Sequence, residues 1–432
     1  MKAFRSTFGI AIMLWICSLT TTASADVFNP RCPVSEFHGT AGGGTSGSFA
    51  GSAIMAVRGM CPTPLPPPSE ASLTSSCINE TKITTASTVW PSTCNPDGMQ
   101  RSLIKLASSL WVVFKYVGTS SGQTAALNDT VASLQAFGSP VMVPLLGQAD
   151  HWFTVTQVTA TVLAPGSFSI SQVKGFDGGP VGGLDSSFNS YMSGLQAFSG
   201  NTWKNVFFQV VVAINPSCDF VPGGCGAPPV SDPFFGKYVL IFDPPASGAL
   251  PRVDAIFEKS PGIVPAGHKA MNAPLAQMRL WDALGSAGIA KDPQIWNAIS
   301  GGVAGPASLV HSVQVDGSPW DYYLVPILSN ANTAIAFAEL SADDGSFAHI
   351  QVLTKPVLFS PVSKTRAAQL AGESLGHGES LTDSKLTWDP RSGSRLASSP
   401  SSPYYEFGIL GENGTHTVTR VTLLDGTVVR SR

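Results

Sequence analysis

Apolar positions along this chain change their period near residue 140. Upstream they come in helix-sized blocks. Residues 48–60 are small or apolar throughout, lack proline and are followed by Pro62, which predicts a first helix. Residues 97–110 follow the turn Asn95-Pro96-Asp97-Gly98 and predict a second, with Pro96 suited to its start. Residues 124–137 predict a third, ended by Gly138. From Pro140 onward the runs 141–145, 152–162 and 167–173 alternate or stay apolar and are rich in β-branched residues, so they predict strands. The runs 206–214 and 238–242 predict two more.

Around residue 245 the composition shifts again. Residues 275–284 and 293–299 predict helices. The strand runs 322–328, 334–340 and 347–353 then follow, the last two joined by the turn Asp343-Asp344-Gly345. A weak repeat is visible: Asp321-Tyr322-Tyr323 with Asp344-Gly345-Ser346 is echoed by Pro403-Tyr404-Tyr405 with Asp425-Gly426-Thr427. Each copy follows an alanine-rich helical stretch, 366–375 in the second. Helices first and strands afterwards, with many short runs, imply an α+β fold. The segments expected are 1–25, 26–245, 250–360 and 361–432.

Composition changes the picture at the amino end. Lys2 and Arg5, the apolar stretch 8–19 and Ala23-Ser24-Ala25 read as a cleavable export signal cut after Ala25, implying a secreted or periplasmic protein. No later run approaches the twenty or so apolar residues of a membrane span. Only 12% of residues are charged, with a formal net charge of -3, so no basic patch for nucleic acid is expected. The histidines are scattered without ligand spacing, so neither a metal nor another cofactor is implied. Beyond Cys17, the cysteines are Cys32, Cys61, Cys77, Cys94, Cys218 and Cys225, an even set that reads as three disulfides. Proximity suggests Cys32–Cys61, Cys77–Cys94 and Cys218–Cys225 among fifteen possible pairings.

The candidate chemistry lies in an ordered set of motifs. Ser48-Phe49-Ala50-Gly51-Ser52-Ala53-Ile54-Met55 opens the first helix, and Asn95-Pro96-Asp97-Gly98 follows the segment ending at Cys94. Gly138-Ser139-Pro140-Val141-Met142-Val143 precedes His151-Trp152-Phe153-Thr154-Val155. Val173-Lys174-Gly175-Phe176-Asp177-Gly178-Gly179-Pro180 comes next, and Trp203 lies downstream with Phe207 and Phe208. In this order the set resembles papain-like cysteine peptidases of the C39/C70-like bacterial group over residues 30–245. The C-terminal part resembles helix-plus-three-strand PepSY and propeptide-like modules.

The resemblance implies a two-lobed domain in which Ser48, His151 and Asp177 occupy the nucleophile, base and orienting positions. It also implies that Phe49, Trp152 and Trp203 contribute to binding. The family's nucleophile is a cysteine, whose thiolate gains from a helix amino end and a histidine partner. A serine hydroxyl is far too weak an acid to ionise there. The oxyanion glutamine is also missing, since no Gln lies between Asp26 and Ser48. One such donor is worth about 3 kcal/mol in the transition state.

Each position has a plainer role beside the catalytic one. Ser48 is a preferred helix N-cap, His151 can be a buried strand residue, and Asp177 precedes a glycine-rich turn. The expected function is an exported, catalytically inactive peptidase homologue that binds a peptide or protein. The alternatives are an active peptidase or acyl hydrolase using Ser48, His151 and Asp177, and C-terminal modules that act as a peptidase inhibitor or scaffold.

Overall fold

The computed structural model describes residues 25–34, 45–60, 67–84, 95–107, 111–147, 152–177, 194–211, 234–243, 271–312, 319–329, 332–389, 399–411 and 416–431. The expected export signal, His151, Cys61, Cys94, Cys218 and Cys225 lie outside the described residues.

The chain opens with strand β1 (Asp26–Phe28) and three helices, α1 (Thr45–Gly59), α2 (Glu70–Thr84) and α3 (Pro96–Ala107). Next come β2 (Val112–Val117), α4 (Ser120–Ala132), β3 (Val141–Pro144), β4 (Trp152–Ala164), β5 (Ser167–Asp177) and β6 (Leu195–Ser199). The short helix α5 (Gly200–Thr202) and β7 (Lys237–Phe242) complete the first half. The second half holds α6 (Ala273–Ser286), α7 (Pro293–Ile299), β8 (Val303–Ala304), β9 (Ser308–Ser312), β10 (Tyr322–Leu328), β11 (Thr333–Ser341) and β12 (Phe347–Leu358). It ends with α8 (Lys364–Gly372), β13 (Ser380–Trp388), β14 (Tyr404–Leu410), β15 (His416–Thr422) and β16 (Val428–Ser431).

The fold is α+β. Its strands form a 16-stranded sheet in the order β16-β15-β14-β13-β9-β10-β11-β12-β6-β5-β4-β3-β7-β2, with β1 on β4 and β8 on β10. Every described pairing is antiparallel except β9 with β13. Backbone hydrogen bonds join strands drawn from the three expected segments. β6 joins β12, with Gln196 opposite Gln351 and Phe198 opposite His349. One core cluster draws Phe28, Phe198, Tyr322, Trp388 and Leu423 from all three segments.

Local chemistry explains most boundaries. Asn272 accepts the Leu275 amide at the start of α6, and Asp292 accepts those of Gln294 and Ile295 at the start of α7. A proline sits in the first turn of each, where its missing N–H is harmless. Gly138 ends the π-type turn after α4 in the left-handed region at φ 61. Helix α1 is buried from Phe49 to Val57: Ala50, Ser52, Ala53, Met55 and Ala56 are fully enclosed. Its small side chains let the sheet approach closely.

Several expectations need correction. Helix α1 begins at Thr45, so Ser48 is its fourth residue and not its cap. Helix α4 starts at Ser120, ahead of the expected residue 124, and gives way to a π-type turn over Ser133–Phe137. The apolar residues Val206 and Phe207 belong to another such turn, Trp203–Phe207, begun by the Ser199 cap on the Thr202 amide. Of the described residues of that run, only Phe208 forms a bridge, to Leu145. Cys32 is disulfide-bonded, but Cys77 is a free thiol, so the expected Cys77–Cys94 bridge is not formed. Cys77 faces the core between α1, α2 and α3 with Leu73 and Met99, where it behaves as a small apolar side chain.

The two echoed motifs lie at equivalent places in two runs of four strands, β9–β12 and β13–β16. The turns match bond for bond. Ser341 N donates to Ser346 O and Gly345 N to Ser341 O, while Thr422 N donates to Thr427 O and Gly426 N to Thr422 O. Ala342 N donates to Asp321 O, as Leu423 N does to Pro403 O.

Candidate functional site

Of the candidate site, the described parts are the crossing of α1 on β4 and the end of β5. Two reciprocal bonds fix the crossing. Ser52 Oγ donates to the Trp152 carbonyl at 2.9 Å, and Thr154 Oγ1 donates to the Ser52 carbonyl at 2.9 Å. Both side chains are fully buried. Ser48 precedes Ser52 by four residues in α1. Trp152 is the residue after His151 in sequence.

Asp177 ends β5 and stands opposite Phe153 of β4 in the register. It is 4% exposed, and its amide donates to the Gly194 carbonyl at 3.1 Å. Its carboxylate Oδ2 accepts from Gln196 Nε2 at 3.3 Å. From there a buried polar chain runs into the C-terminal half. Gln196 Oε1 meets His349 Nε2 at 3.2 Å, and His349 Nδ1 meets Glu339 Oε1 at 3.0 Å. Ser401 Oγ donates to the same Glu339 oxygen at 3.0 Å. The chain crosses β5, β6, β12 and β11 and ends on the loop before β14.

A carboxylate only accepts, so Gln196 turns its amide nitrogen to Asp177 and its oxygen to His349. An amide oxygen also only accepts, so His349 Nε2 is the donor to it, and the ring is bonded at both of its nitrogens. The ring also stacks on Phe198 at 4.6 Å between centroids.

Phe49, Trp152 and Trp203 are each 1% exposed and sit in the hydrophobic clusters. The expectation that they bind a partner is corrected: their rings are spent on the core, and no face is left for a ligand. Sequence reasoning missed Gln196, Glu339, His349 and Ser401. Glu339 and His349 had a readable signal, being equidistant from Asp344 on two arms of one hairpin and directly paired in its register.

Among the described residues no three His, Cys, Asp or Glu side chains converge on a point that could hold a metal ion. No described helix is long and apolar enough to cross a membrane. No protein-family model matches the chain, and neither a curated protein nor a solved structure does.

Proposed function

We propose that this chain is an exported papain-like peptidase homologue that has lost its reactive centre and holds a peptide or protein partner. The observation that carries this reading is the clasp of α1 on β4. Ser52, one turn beyond Ser48, is bonded to Trp152, the neighbour of His151, while Asp177 closes the adjacent strand. The reading takes these three elements to correspond to the helix, histidine strand and orienting strand of the peptidase template.

Loss of catalysis is supported by chemistry at two positions. Ser48 offers a hydroxyl where the template needs a thiolate, and no glutamine precedes it within the chain from Asp26. Asp177, the remaining acid, already accepts a hydrogen bond from Gln196.

A serine-directed fluorophosphonate tests the reading. The folded protein is expected to remain unlabelled, and Ser48→Ala is expected to leave partner binding unchanged. Labelling abolished by Ser48→Ala would replace this reading with that of a serine hydrolase.

A further inference from the structure

A cleft of about 1540 Å³ opens between the β1–β4–β5 face and the helical pair α6–α7. Neither Trp152 nor Asp177 lines it, so it is separate from the corner at α1. Clefts between packed units are common ligand sites, and small-molecule pockets run to about 1,000 Å³, so this one suits something longer.

The floor is polar and has unused hydrogen-bonding capacity. Lys174, 8% exposed at the side chain, donates to Asp292 and to Gln294 Oε1. An ammonium has three donors, so one is left over. Gln172, 7% exposed, donates through Nε2 to the Ala287 carbonyl and keeps its Oε1 as a spare acceptor. Both side chains line the cleft from β5. Beside them on β4, Thr159 pairs with Gln172 and Gln157 with Lys174 in the register. Gln157 also lines the cleft.

Gln172 and Lys174 stand two residues apart on β5, so their backbone positions are about 6.6 Å apart along the strand. An extended peptide presents its main-chain groups along one edge at that same two-residue period. The charges on the walls balance: Arg279 and Lys291 stand against Asp282 and Asp344. A polyanion therefore has no preference for the cleft. The only aromatic wall residue among those described is Phe347, so the stacking platforms expected for a sugar chain are missing.

We propose that this cleft binds an extended polypeptide segment, read through its main chain by Gln172 and Lys174. The idea does not depend on the state of the corner at Ser48.

A phage-displayed library of random linear dodecapeptides, panned on the full chain, tests it. Enriched peptides are then measured against the protein and against Ser286→Trp, which fills the cleft from an exposed position at the end of α6. Binding is expected to weaken about tenfold or more in Ser286→Trp. N-methylation along the peptide is expected to weaken binding at alternate positions, a period that recognition of side chains alone would not produce. Failure to enrich any peptide overturns the proposal, as does binding indifferent to Ser286→Trp. Binding lost in Ser48→Trp but kept in Ser286→Trp would assign the peptide to the α1 corner, upholding the proposed function and overturning this inference.

Discussion

Ser52 donates its hydroxyl hydrogen to the carbonyl of Trp152, a residue 100 positions further along the chain, at 2.9 Å. Thr154 returns the bond to the carbonyl of Ser52. The first helix and the central strand of the amino-terminal half are thus held by polar contacts inside an otherwise apolar interface. Removing a buried hydrogen bond costs about 1 kcal/mol net, and more where a partner is left unsatisfied. Ser52→Ala is expected to fall in that range. Ser52→Leu adds bulk where the backbone of β4 is already in contact, and over-packing adds about 1–3 kcal/mol. Urea unfolding should show a lower midpoint at constant slope for both, with Leu the worse. A neutral Ser52→Leu would show that the helix is not seated so closely.

A second prediction concerns the joint between the halves. Lys174 on β5 forms a buried ion pair with Asp292, which also caps α7. Removing one member of a buried pair strands the other charge and costs about 3–5 kcal/mol. Lys174→Met is expected to lose about that much. Lys174→Met combined with Asp292→Asn should recover part of it, because asparagine still caps the helix while shedding the charge. If the double variant unfolds no later than the single one, the stranded carboxylate is not the cause.

The joint also shows what could be read from sequence. Helix α7 was legible because Asp292-Pro293 is a cap followed by a first-turn proline, a signal confined to neighbouring residues. The turns at Gly345 and Gly426 were legible for the same reason. Helix α2 was not: its inward residues Leu73, Cys77 and Thr81 form a narrow stripe at four-residue spacing in an otherwise polar run. The apolar stretch at Val206 looked like a strand because apolarity alone does not separate a buried turn from a buried strand. The cap at Ser199 decides it. Pairing of β6 with β12, and the bonds from Gln196 to His349 and from Ser401 to Glu339, join residues far apart in sequence. No local pattern announces such contacts.

The two runs of four strands give a matched pair of tests. Gly345 and Gly426 have φ of 71 and 72, a region in which a side chain costs about 1–2 kcal/mol. A Cβ at Gly345 would lie 2.7 Å from Met271 Cε, whereas one at Gly426 would lie 3.0 Å from Leu370 Cδ1. Both alanine variants are expected to destabilise through backbone strain, with Gly345→Ala the more costly because Met271 is buried and must move. Thermal unfolding of the two variants, measured side by side, checks the order. Equal losses would mean that the methionine shifts without penalty.

The last prediction follows from Tyr322, fully buried on β10 with its hydroxyl donating to the Pro400 carbonyl. Burial first, then the charge of Glu339 and the neighbouring Tyr404, holds its phenol well above the ordinary value of 10.0. In the unfolded chain the same phenol ionises near 10, so above that pH the folded state binds more protons than the unfolded one. Stability from this group is therefore complete below pH 10 and falls as pH rises toward the folded value. The protein is expected to unfold cooperatively in alkali, with a step of tyrosinate absorbance that coincides with loss of structure. Tyr322→Phe should unfold at higher pH than the parent, although it is less stable at neutrality for want of the bond to Pro400. An unchanged alkaline midpoint in Tyr322→Phe would mean that other groups drive the transition.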